Sequence, residues 1–332
     1  MGDVIVANKH PISKMANNFR MTSYFQDQVC YLGQKETFEE GSETIKRLTG
    51  VALSNKQIQR VSEHYGQCLE QATQELIKDD SLSSVTQDNS SEITYGMTDG
   101  SMLLTKEEGW KEIKLGRVFK ASENMPVTEN RNWIKASKYC SYLGGFQAFL
   151  QRFELLLIGV VNLVLIADGA KWFWDWASIY YPKAIQILDY YHCKEYLCTF
   201  AKLVYKDSQQ KEKWIKLQED LFFEDQVEKV IACIQAFTGL QGEAGEYQKK
   251  IVTYYEHNKT RMLYGTYKSK GLLIGSGPIE SAHRNVLQKR LKLSGQRWSK
   301  TGVQQIANLR VVHKSNDWGK VVELIQSVKM AA

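Results

Sequence analysis

The stretch Val160-Val161-Asn162-Leu163-Val164-Leu165-Ile166-Ala167-Asp168-Gly169 decides how the rest of the chain is read. Between Val160 and Ala167 only Asn162 is polar, so no two-residue or 3.6-residue alternation separates a wet face from a dry one. Such a run, with Gly159 before it and Asp168-Gly169 after it, suits a strand covered on both faces by helices. The flanks agree. Gly145 to Leu157 has the period of an amphipathic helix, and Ala170 to Tyr180 returns to helix until Pro182 stops it. Ala184 to Leu188 then gives a second short buried strand.

Upstream, the period is strand-like. Ile93 to Met97 reads as a strand ending at Asp99-Gly100, Lys111 to Phe119 as a second and Trp133 to Tyr142 as a third, together an antiparallel meander. Three strands, helix, strand, helix, strand predict an α/β fold with a mixed sheet and right-handed crossovers in its second half. Residues 20 to 80 read as helical around a break at Gly50, and Ser54 to Gln57 has the spacing of a capping box. Lys56, Gln57, Gln59 and Arg60 near the start of that helix fit either a packing unit or a DNA-reading helix-turn-helix. Asp79 to Ser91 is a linker by composition. From Tyr196 to Lys270 the signal is helical, with Leu197, Trp214, Leu217, Val227, Val230 and Ile234 among the expected core positions. A last helix starts near Pro278 and runs toward Leu293.

With 43% hydrophobic and 24% charged residues in 332, the chain reads as an ordinary globular protein. Leu155 to Ala167, the longest apolar run, is broken by Gly159 and Asn162 and falls short of the roughly 18 residues that suggest a membrane span. The first residues lack the basic start and apolar centre of a secretory leader, so a cytoplasmic location is expected. Six cysteines without a CxxC pair are expected to be reduced, and His192, Cys193 and Cys198 make only a weak zinc set. The formal charge of +6 is unevenly placed: from Ser281 to Lys314 there are eight basic residues and no acid. Taken alone, that segment is either a solvated basic face or a contact for an anionic polymer.

Three acids stand at chemically suggestive places. Asp99 follows the first strand, Asp168 follows the buried fourth, and Glu280 opens the last helix within Gly275-Ser276-Gly277-Pro278-Ile279-Glu280. Each has a local explanation as hairpin turn, helix cap or helix-start acid. Together at one sheet edge they would offer hard oxygen ligands to two magnesium ions, the arrangement that clamps an in-line phosphodiester displacement.

The segments Met97 to Met102 with Gly109 to Glu112, Ala167 to Ala170 with Trp172, and Gly275 to Ala282 with Gly295 to Trp298 resemble bacterial insertion-sequence transposases of the ISKra type, relatives of Mutator-like elements. Cys30 to Gln34 and Gly50 to Gly66 look like the helical region that precedes their catalytic domain. The resemblance implies a DDE transposase with an RNase H-like core and Asp99, Asp168 and Glu280 as its catalytic, metal-binding triad. It implies two Mg2+ or Mn2+ ions, DNA ends and target DNA as partners, and a homo-oligomer on DNA. An Asp-x-x-His element, here Asp189 to His192, would be auxiliary to the site, either touching DNA or fixing its strand to the next helix. Lys289, Arg290, Lys292, Arg297 and Lys300 would hold DNA phosphates. His283 and Trp298 are expected to pack.

On this reading residues 1–85 form a helical N-terminal region and 92–195 the first part of the core. An all-helical insertion occupies 196–270, which accounts for the 112 positions between Asp168 and Glu280. The final core helix and basic segment fill 271–315, and 316–332 form a tail. The family commonly carries a longer N-terminal region with cysteine pairs, whereas this chain has no cysteine before Cys30, as a shortened copy would. An RNase H-like nuclease without strand transfer and a catalytically silent DNA-binding derivative are the alternative readings.

Overall fold

The computed structural model describes residue 19 and residues 21–79, 92–128 and 131–327; the linker expected up to Ser91 lies outside them beyond Asp79. It is a mixed α/β structure with a five-stranded mixed sheet. In chain order the elements that build it are β1 (Thr94–Thr105), β2 (Gly109–Lys120), β5 (Lys138–Leu143), β6 (Leu163–Ala167) and β7 (Ile185–Leu188). Their order across the sheet is β5-β2-β1-β6-β7. β6 runs parallel to both neighbours, whereas β2 and β5 are antiparallel. No helix among the described residues is long and apolar enough to cross a membrane.

The chain divides into two compact units, and β1 contributes to both. One unit comprises residues 90–99 and 161–280. Its centre is β6, whose five residues are all buried, as an apolar run without alternation requires. Helix α5 (Lys171–Tyr180) links β6 to β7 and buries Phe173, Trp174, Trp176 and Ala177. After β7 comes an all-helical stretch: α6 (Tyr190–Val204), α7 (Ser208–Phe223), α8 (Val227–Gln235), α9 (Gly242–Asn258), a 3-10 turn and α10 (Tyr264–Ser269). Leu197, Val227, Val230 and Ile234 are buried as expected, but Leu217 is 62% exposed. On α7 the inward positions are Gln218 and Phe222, one helical turn apart, so the apolar period of that helix is offset by one residue from the expected one.

The other unit comprises residues 1–89, 100–160 and 281–332, described from Phe19 to Ser327. Its N-terminal helices are α1 (Ser23–Lys35), α2 (Phe38–Thr49) and α3 (Asn55–Lys78), and the same unit holds α4 (Phe146–Leu155) and the short α12 (Lys289–Leu291). Ser54 caps α3 through Gln57 N–H, while the full reciprocal box belongs to Thr37 and Glu40 at the start of α2. Gly50 ends α2 with φ of 73°, the left-handed conformation that glycine adopts without a Cβ penalty. Helix α13 (Lys300–Lys314) crosses α3 so closely that a Cβ on Gly66 would lie 2.2 Å from the Gln305 carbonyl oxygen. Gln304 of α13 also ties β5, accepting from Leu143 N–H at 2.8 Å and donating to the Ser141 carbonyl at 3.2 Å.

Three local expectations are corrected. β1 does not end at Asp99-Gly100; it continues to Thr105 and turns at residues 106–108, so Asp99 is a mid-strand residue rather than a hairpin corner. The single strand expected from Trp133 to Tyr142 is split. Its first part, β4 (Arg131–Ile134), pairs with β3 (Asn124–Thr128) as a separate two-stranded ribbon, and only β5 joins the main sheet. The stretch expected as a tail carries α14 (Gly319–Ser327), with Val321 and Ile325 buried.

Burial also sorts the six free cysteines. Cys30, Cys140 and Cys193 are buried, the others half-buried. Desolvation of the thiolate pushes Cys140 and Cys193 up to about 12. Titration with a thiol-specific disulfide reagent at pH 8 should therefore modify no more than Cys68, Cys198 and Cys233 rapidly, and all six thiols in guanidinium. Rapid modification of Cys140 or Cys193 in the folded protein would contradict this packing.

Candidate functional site

The strand register sets the level of the site. Met97 of β1 pairs with Ile166 of β6, and Ile166 with Ile187 of β7. Asp99, Asp168 and Asp189 each stand two residues later, so three acids lie at the same height, Asp99 within β1 and the other two just past the ends of β6 and β7. Because the three strands are parallel, that height is the carboxyl-terminal edge of β6 and β7, where open α/β sheets hold their ligands, while β1 continues past it to Thr105. Asp168 lies one residue past the end of β6; its Oδ1 accepts the Ala170 N–H at 3.1 Å, and its carbonyl accepts the Trp174 indole N–H at 2.7 Å. Asp99 and Asp168 are both exposed.

Glu280 arrives from far along the chain, and the segment that delivers it is anchored to the same strands. Leu273 N–H donates to the Tyr95 hydroxyl at 3.2 Å, and Tyr190 N–H to the Ile274 carbonyl at 2.9 Å. Ser276 follows, then α11 (Gly277–Ala282) with Glu280 in its first turn. Asp99, Asp168, Asp189 and Glu280 line one cavity of about 240 Å³ together with Ser276 and His192.

Asp189 differs from the other acids. It is 1% exposed, and its Oδ1 accepts the N–H groups of Tyr191 and Ser276 at 3.0 and 3.1 Å. The Ser276 hydroxyl donates to Asp189 Oδ2 at 2.6 Å and lies 3.1 Å from Glu280 Oε1. A buried carboxylate needs such partners to stay charged at tolerable cost. Asp189 thus caps α6 and fixes the approach to Glu280. His192, whose Nδ1 is 3.9 Å from Asp189 Oδ2, is too far for a hydrogen bond and lines the cavity with its side chain about half exposed. The two members of the Asp-x-x-His element therefore have separate structural roles.

No family model matches the chain, and no curated protein matches it.

The donor chemistry fits hard divalent cations: the exposed carboxylates of Asp99, Asp168, Glu195 and Glu280 line a cavity of about 240 Å³ with no thiolate among its lining residues. The carboxylates are not drawn into a closed cage. Among the described residues no three His, Cys, Asp or Glu side chains are grouped as a ready-made ligand shell. Instead, Asp168 and Glu280 each hold a local partner, Ala170 N–H and the Ser276 hydroxyl.

The basic residues expected at DNA lie in the other unit, and one of them is corrected. Arg290 is 1% exposed, donates Nε–H to the Gly33 carbonyl at 3.0 Å and lies over the rings of Phe38 and Trp298 at 4.7 and 5.0 Å. Burial, with Arg310 nearby, lowers it to about 10, so it is a charged core residue and not a phosphate contact. Lys289, Lys292, Arg297 and Lys300 are exposed, and Lys300 pairs with Glu108. Trp298 packs as expected, its indole N–H donating to Leu291 at 3.0 Å, and His283 is buried. The sequence reading missed Ser276 and also Glu195, an exposed acid of α6 that lines the same cavity. The signal for Ser276 was a serine two residues ahead of Pro278 at a helix start, the cap position.

Two substitutions check this geometry. Ser276→Ala removes a hydroxyl from a buried carboxylate and should lower the unfolding free energy by about 1–3 kcal/mol in a urea titration, with Ser276→Thr recovering part of it. Equal stability of Ser276→Ala and wild type would break the Asp189–Ser276–Glu280 connection. Arg290→Ala should cost about 2–4 kcal/mol, whereas Arg290→Met, which refills the space without a charge to desolvate, should stay within about 1 kcal/mol of wild type. A wild-type melting temperature for Arg290→Ala would place that side chain outside the core.

Proposed function

We propose that this protein is a DDE transposase that cuts DNA at element ends and joins the released 3′-hydroxyl to target DNA. The observation that carries the reading is the meeting in one cavity of Asp99 and Asp168, level on adjacent parallel strands, with Glu280 from a helix 112 positions after Asp168. A meander of three strands continued by two parallel strands on the far side of the first agrees with an RNase H-like core. The all-helical stretch from α6 to α10 falls where the resemblance calls for an insertion.

Asp99, Asp168 and Glu280 are the residues that would hold two magnesium or manganese ions. Bound there, the ions would supply Lewis-acid stabilisation of the attacking and leaving oxygens of a phosphodiester displacement. The chain's own contribution is orientation. Ser276 and Asp189 hold the Glu280 helix start against the strand ends, and the Trp174 indole N–H fixes the backbone at Asp168. His192 lines the cavity as a donor for a phosphate oxygen. DNA as partner, self-association on DNA and a cytoplasmic site of action belong to the same proposal.

The experiment is a joining assay with labelled duplexes carrying the sequences that flank the coding region and a supercoiled plasmid target. Joined products that require Mg2+ or Mn2+ and fall at least 100-fold in Asp168→Asn are the expected result. Metal-dependent hydrolysis without joining would replace the proposal with an RNase H-like nuclease. Duplex binding without either reaction would leave a silent DNA-binding derivative.

A further inference from the structure

A second, larger cavity of about 450 Å³ lies in the same unit as the carboxylates. The two cavities meet at consecutive residues, for Asp168 lines the first and Gly169 the second. Gly169 is pressed against Tyr254 of α9: a Cβ there would lie 2.1 Å from ring carbon Cε2. The character of the two is opposite. The first is walled by acids, the second by Lys171 at the start of α5, Lys250 and His257 on α9, and Arg261 in the turn that follows.

The charge of this second cavity is only partly neutralised. Asp175 is the one acid lining it among the described residues, and it pairs with Lys171 at 2.6 Å. Lys250 and Arg261 are held by aromatic faces instead. Lys250 Nζ lies 5.1 and 5.5 Å from the ring centres of Tyr196 and Tyr247. Arg261 Cζ lies 4.9 Å from that of Trp174 and is steered by a 2.8 Å bond from Nε–H to Gln186 Oε1. Ring faces hold a cation without cancelling its net charge. Tyr254 adds a hydroxyl that is buried and has no hydrogen-bond partner among the described residues. Two oriented cations and an unused buried donor together match an anionic oxygen cluster.

We propose that this cavity is a phosphate subsite for the DNA strand whose scissile phosphodiester faces Asp99, Asp168 and Glu280. The inference rests on the strand-transfer reading of that acidic site. A DNA strand carries a phosphate at roughly every 3.4 Å of duplex axis, so one presented to the carboxylates necessarily brings others to neighbouring walls. Carboxylates repel that strand, and the cations of the adjoining cavity supply the attraction that seats it. Lys250 and Arg261 are phosphate-binding residues in this scheme, Tyr254 a further donor, and the small Gly169 keeps the two cavities adjacent.

Fluorescence anisotropy with a fluorescein-labelled duplex bearing a 3′ overhang tests the subsite. Measurement in EDTA allows binding to be read without chemistry. Lys250 is exposed, so Lys250→Gln should fold normally; Lys229→Gln, on the exposed face of α8, is the charge-matched control. Expected is a three- to tenfold weakening for Lys250→Gln with the salt slope reduced by about one, and less than a twofold change for the control. Arg261→Gln should weaken binding further when added to Lys250→Gln. Wild-type binding with no difference between the two lysine variants overturns the subsite and leaves the acidic site's reading untouched. Competition by poly-glutamate as strong as by unlabelled duplex overturns it in favour of an acidic protein partner. Failure of the wild-type chain to bind any duplex removes the strand-transfer reading itself, and the subsite with it.

Discussion

Parallel pairing of β6 with β1 on one side and β7 on the other is the constraint on which the candidate site depends. Register in a parallel ladder is discrete, and a slip of one residue would turn every side chain to the opposite face. With Met97, Ile166 and Ile187 in line, Asp99, Asp168 and Asp189 have no freedom to stand at different heights. What holds the register is the apolar surface on both sides of β6. All five of its residues are buried, and removing such surface from water contributes about 25 cal/mol per Å². The most hydrophobic stretch of the unit thus sets the position of its most charged one.

That arrangement brings acids together, which is electrostatically unfavourable, and the surroundings divide the load. Asp189 is taken out of solvent and given backbone N–H donors and a hydroxyl, so its charge is spread into a fixed hydrogen-bond frame. Asp99, Asp168 and Glu280 remain toward water, where like charges repel less. Of the five carboxylates that line the cavity, Asp189 is therefore part of the scaffold, and Asp99, Asp168, Glu195 and Glu280 stay exposed. Their types gave no hint of that division, because aspartate serves equally as cap and as ligand.

The fold was legible in the sequence wherever burial was two-sided or periodic. The flanking helices, the helical N-terminal region and the helical stretch after β7 follow from apolar spacing, as does the strand at Leu163 to Ala167, although the expected run began at Val160 and Val160 to Asn162 stay outside the strand, with Val161 48% exposed. Where the reading went astray, a local signal was overridden by a distant contact. Asp99-Gly100 carries the commonest hairpin signature, yet β1 runs through it because the turn is supplied at residues 106–108. Leu217 faces water while Gln218 is buried, a choice made by the neighbours of α7 and invisible in its own composition. Arg290 looked like a phosphate contact because charge is read as exposure; the Gly33 carbonyl and two aromatic rings, more than 250 positions away in the case of Gly33, withdraw it into the core. Of the candidate site, the acids were legible and Ser276 was not, since a serine before Gly-Pro is explained completely by a cap.

The close approach of Gly169 and Tyr254 has a consequence for how the protein comes into being. The two residues are 85 positions apart, and four helices, α5 to α8, lie between Gly169 and the helix carrying Tyr254. Loop closure over such a separation is a late and entropically costly event. On a ribosome the sheet edge would emerge first with its aspartates bare to solvent. It would acquire its wall only after α9 had been synthesised, and its glutamate later still. The order of synthesis itself thus keeps the carboxylate set incomplete until most of the chain is folded.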